Sequence, residues 1–133
     1  MSNTKATGVA YLDPEFSTCY VTDELGYAAT AQGTVTQATN KGTGVTLNKS
    51  AGKITMNAAL LGAGASVTFT LTNSTISTND VIIVNVSGGG TAGAYWPYVS
   101  SMASGSAVIG IWNSTAGALS EAVVLNFAII HNE

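Results

Sequence analysis

The chain has 133 residues and carries only 4 basic and 7 acidic side chains, 8% of its length, against about 25% in an ordinary globular domain. One domain with a real core fits that length, and a net charge of -3 without a basic cluster argues against nucleic-acid binding through the phosphate backbone. A surface so poor in charge is covered by Thr, Ser, Asn and Gly or hidden against other subunits, which points to an assembly component rather than a free enzyme.

Residues 1–30 stand apart. They hold four of the acids (Asp13, Glu15, Asp23, Glu24), three tyrosines (Tyr11, Tyr20, Tyr27), Leu12 and Phe16, with Pro14 interrupting the pattern. This reads as an extended N-terminal arm with one short strand at 17–22. Its aromatic and apolar residues Tyr11, Leu12, Phe16, Tyr20 and Tyr27 are the candidates for contact with a partner. The remainder, 31–133, reads as one β-domain.

Strand signals recur from residue 33: 33–38 (GTVTQA), 43–47 (TGVTL) and 52–56 (GKITM). Segment 65–73 (ASVTFTLTN) alternates cleanly, with Val67, Phe69 and Leu71 on one face and threonines on the other; period two marks a half-buried strand. Segment 80–86 (DVIIVNV) is apolar on both faces and reads as a central strand. Pro97 demotes 95–100 (YWPYVS) to an edge strand or bulge. Segments 107–113 and 121–131 complete the set, the last long and nearly all apolar. A candidate helix at 57–61 is too short to matter. Eight or nine short strands with frequent turns predict an all-β fold, an antiparallel β-sandwich of jelly-roll type.

Most chemistry is missing. Cys19 is the only cysteine and His131 the only histidine, which leaves no intrachain disulfide and no zinc ligand set. No continuous apolar leader segment precedes the domain, and no apolar run approaches the ~20 residues of a membrane span. The run SGGGTAG at 87–93 lacks the Lys-Ser/Thr and helix start of a phosphate loop, so it reads as a turn. Asp80, Glu121 and His131 are isolated in sequence, and a hydrolytic triad needs three groups that meet. The sequence therefore predicts no catalytic residue, no metal and no cofactor. Four Asn-x-Ser/Thr sequons, at Asn48, Asn73, Asn85 and Asn113, are expected by chance in so Ser/Thr/Asn-rich a chain. The best functional candidates are Tyr95, Trp96, Tyr98 and Trp112. Such residues serve protein interfaces and sugar platforms, or here a plug closing one end of the sandwich.

The stretch 33–130 resembles a β-rich module of tailed-bacteriophage virions, of the kind found in head fibres, head-decoration proteins and tail-fibre tips. The segments that carry the resemblance most specifically are GTVTQATNKGTGVTLNK, the ITMNAALL run and GALSEAVVLNFAII. The resemblance implies an antiparallel sandwich that forms a homotrimer on the virion. The YWPY cluster departs from the family's usual pattern. A module preceded by a short arm instead of a fibre shaft fits a capsid cement or decoration protein. Its partners would be further copies of itself and the major capsid protein on the outer capsid surface, with no nucleic acid and no membrane. The alternative is the receptor- or glycan-binding tip of a tail fibre.

Overall fold

The computed structural model describes residues 17–132. A 3-10 turn, Ala29–Ala31, leads into eight strands: β1 (Gln32–Thr36), β2 (Val45–Thr46), β3 (Ala51–Thr55), β4 (Ser66–Thr72), β5 (Val81–Gly88), β6 (Tyr95–Ala103), β7 (Ser106–Asn113) and β8 (Val124–Ile130). They form two four-stranded sheets, ordered β1-β3-β8-β5 and β2-β4-β7-β6. The chain changes sheet at every connection except the β6–β7 hairpin, a jelly-roll-like path.

The sheets are mixed rather than wholly antiparallel. β1 pairs β3 in parallel, and so does β2 with β4. A parallel pair needs a crossover, and each is supplied by a strand of the opposite sheet: β2 lies between β1 and β3 in the chain, and β3 between β2 and β4. The other pairings are antiparallel.

The alternation in β4 turns Phe69 and Leu71 inward, where they join Val45, Ala107, Ile109 and Ile111 of the same sheet. Ile54, Ile82, Leu125, Phe127 and Ile129 face them from the other sheet. Met56, Leu61, Ile76, Tyr95 and Val123 complete the core.

The segment 57–61 carries no helix: the Asn57 carboxamide oxygen accepts the Ala59 N–H at 2.9 Å, and Leu61 forms a bridge to Leu119. Two expectations about single elements fail. The strand at 17–22 is absent: no strand of the sandwich runs beside it, and an isolated segment has no ladder to join. β5 is an edge strand, not a central one. Its second face, with Val81 and Ile83, therefore stays exposed. Pro97 does lie on an edge strand, β6, which also carries a bulge between Val99 and Ser101.

Candidate functional site

The outer face of the β2-β4-β7-β6 sheet is aromatic at one end. Trp96 of β6 stands directly opposite Trp112 of β7, and in the next row Tyr98 stands opposite Gly110. All three side chains are exposed, Trp96 by 60%, Trp112 by 41% and Tyr98 by 38%. Trp112 is held by its Nε1–H, which donates to the Gly64 carbonyl at 3.1 Å. Tyr98 lies down across Gly110: a Cβ on that glycine would overlap the phenol ring. Gly weakens a strand interior, and here its missing side chain is what lets the ring lie flat. The face continues through Ser66, Thr68, Thr70 and Thr72 of β4, Val108 and Ser106 of β7 and Thr46 of β2. None of these residues carries a carboxylate, ammonium or imidazole.

Tyr95 does not belong to this group. It points into the core at 6% exposure, because successive strand residues face opposite ways. Its hydroxyl is buried, with no hydrogen-bonding partner among the described residues. Burial, with the nearby Glu121 carboxylate, raises its pKa to about 12. Tyr95 is thus the plug, while Trp96, Tyr98 and Trp112 form the exposed surface.

A second apolar surface lies on the opposite sheet. Val81 of β5 sits opposite Ile130 of β8, and Ile83 opposite Ala128. Val81, Ile83 and Ile130 are each about half exposed. The root of the arm runs past this face: the Tyr27 hydroxyl donates to the Ile129 carbonyl, Gln32 Nε2 donates to the Tyr27 carbonyl at 2.7 Å, and Lys49 Nζ donates to the Thr30 carbonyl at 2.7 Å. Leu25, Gly26 and Tyr27 with residues 128–131 line an apolar groove of about 450 Å³. Tyr27 is therefore an anchor within the fold. Upstream of it Tyr20 is 91% and Leu25 87% exposed. Cys19 is exposed as well. Tyr11, Leu12 and Phe16 lie outside the described residues.

The fold brings Asp80 and His131 together despite their separation in sequence. His131 Nδ1 is 3.1 Å from Asp80 Oδ2, and its Nε2 is 3.4 Å from Ser50 Oγ. Asp80 also accepts from the Ser77 N–H (2.8 Å), the Ser77 hydroxyl (2.9 Å) and the Asn132 N–H (3.1 Å). The Ser77 N–H, then the Asn132 N–H, the Ser77 hydroxyl and His131, hold its carboxyl at a pKa of about 2. The connectivity is that of a nucleophile, base and carboxylate, but the neighbouring groove is lined by His131 and not by Ser50. What the contacts accomplish is a latch: the buried carboxylate fastens the end of β8 to the turn before β5. Glu121 is elsewhere. It accepts from the Thr91 N–H and hydroxyl, which lower its pKa.

Other buried polar groups carry no signal in the sequence. Lys41 is 3% exposed and donates to the carbonyls of Asn57 and Glu121. Burial lowers its pKa, and the Glu121 charge opposes that shift. Gln37 donates to the carbonyls of Lys41 and Thr43 and accepts from the Asn57 N–H. Among the described residues no cluster of three His, Cys, Asp or Glu could hold a metal ion.

No known protein family, curated protein or solved structure matches the chain.

Proposed function

We propose that this chain is a structural, non-enzymatic protein of a tailed-phage virion, a cement or decoration protein that binds the outer capsid as a homotrimer. The resemblance of 33–130 to virion modules suggests the family. The observation that supports an assembly role is the uncovered apolar surface of β5 and β8. An edge strand that is apolar on both faces invites association, and in an assembled particle Val81, Ile83 and Ile130 would be covered. The arm, rooted at Tyr27 and exposing Tyr20 and Leu25, would reach the major capsid protein. A protein that binds only the closed shell stabilises it by mass action, and three linked copies raise the effective concentration at each site.

Two experiments test this reading. Light scattering of the purified protein should give about three times the 13.4 kDa chain mass; a clean monomer at micromolar concentration would sink the trimer. Heads lacking the protein should rupture at lower temperature or under milder osmotic shock while adsorption to cells stays near normal. An adsorption defect with unaltered heat resistance would overturn the decoration role in favour of a fibre tip.

A further inference from the structure

We propose that the outer face of the β2-β4-β7-β6 sheet is a binding platform for a neutral oligosaccharide, with Trp96, Tyr98 and Trp112 as its stacking residues. The proposal concerns the sheet opposite the apolar β5–β8 surface and stands independently of the decoration role.

Four observations carry it. The rings are exposed on a sheet face, whereas the exposed large hydrophobic side chains in the strands of the other sheet are aliphatic. Two of the three are fixed before any ligand arrives: Trp112 by its hydrogen bond to Gly64, and Tyr98 by lying across Gly110. Pre-positioned rings spare a ligand the cost of ordering them. The rings sit in two adjacent rows, Trp96–Trp112–Ser66 and Tyr98–Gly110–Thr68, so hydroxyls of β4 flank the aromatic surface. Finally, none of the described strand residues on this face is charged.

Those features select the ligand class. A pyranose ring presents an apolar face of C–H groups to an aromatic ring and a rim of hydroxyls to polar neighbours. Ser66, Thr68 and the Tyr98 hydroxyl offer both donors and acceptors to that rim. Single-stranded nucleic acid also stacks on aromatics, but it requires a cationic groove beside them, and no cation lies among the described residues of this face. An acidic glycan would likewise find no cation to pair with.

The test uses the full chain and soluble hexasaccharides of glucose, xylose, mannose and N-acetylglucosamine as neutral probes. Polygalacturonate and oligo-dT serve as anionic probes. Tryptophan fluorescence and titration calorimetry should show saturable binding of at least one neutral probe, unchanged between low and high salt. Trp96→Ala and Tyr98→Ala should each weaken it about tenfold, the scale of one lost stacking contact, and Trp96→Phe should restore part of the loss. The thermal midpoint of Trp96→Ala should match that of the parent, since the side chain is largely exposed. Three results would overturn the proposal: no saturable binding of any neutral probe, binding of the anionic probes alone, or loss of the protein's own oligomer in Trp96→Ala. The last would make this face a contact between copies.

Discussion

Asn73 and Asn113 perform the same task at opposite ends of the β4–β7 pair. The Asn73 N–H donates to the Gly105 carbonyl beyond the end of β4, and the Asn113 N–H donates to the Ala65 carbonyl just before its start, both at 2.9 Å. Each carboxamide oxygen then accepts the N–H and the hydroxyl of the threonine two residues on, Thr75 or Thr115. Both side chains are fully buried. The sequence Asn-Ser-Thr occurs at these two places because it closes a strand.

Their loss should be costly and unequal. Asn73 Nδ2 donates to one carbonyl, of Lys49, while Asn113 Nδ2 donates to three, of Leu61, Gly62 and Gly117. An orphaned buried polar group costs about 1–3 kcal/mol. Denaturant unfolding should place Asn113→Ala below Asn73→Ala, and both below the parent. A loss under about 0.5 kcal/mol at both sites would contradict that accounting.

The core aromatics should behave as large-to-small substitutions do. Phe69 and Phe127 are each 3% exposed and belong to opposite sheets. Phe69→Ala and Phe127→Ala should each cost about 3–5 kcal/mol, measured by the same denaturant titration. A loss below about 1 kcal/mol at both would mean the faces are not packed.

Asp80 gives a pH dependence with a definite sign. Its carboxyl is held at about 2 in the fold against 3.8 ordinarily. A depressed carboxylate contributes stability that is complete above the unfolded value and disappears as pH falls through the folded one. The difference in thermal midpoint between the parent and Asp80→Asn should therefore be constant above about pH 5 and shrink between about pH 4 and 2. A gap that does not narrow on acidification would refute the latch as an ionised group.

Gly110→Ala should lift Tyr98 off the sheet. The added Cβ occupies the ring's position, and Tyr98 can yield because it is a side chain at the surface. The cost should lie within the roughly 1–3 kcal/mol of an overpacking change. Increased quenching of tyrosine emission by iodide or acrylamide would report the freed ring; unchanged quenching would show that it was never held down.

Local pattern made every strand from β1 to β8 readable. Period two in β4, the turn signals before β5 and the proline in β6 all act within a few residues. Pairing was another matter. That β1 lies beside β3 and β2 beside β4 depends on crossovers through the other sheet, and no hairpin turn announces them. β5 looked central because both its faces are apolar, but sheet position is decided by which strands remain to pair with. Tyr95 and Trp96 look equivalent in sequence, and only the direction of the pleat sends one to the core and the other to solvent. Asp80 and His131 meet because β5 runs beside β8, a contact that spacing along the chain conceals.

The last strand to be made is the one that joins the β1-β3-β8-β5 sheet together. β8 is the bridge between β3 and β5, so without it β5 has no neighbour in this sheet. A nascent chain can pair β1 with β3 but must hold β5 unpaired until β8 has been made, and the long-range pairing that follows is intrinsically slow. Until then the apolar strand Val81–Gly88 is open to association with neighbouring chains. A sequence so poor in charge thus carries a hazard during synthesis, and production yield should depend more steeply on temperature than on folded stability.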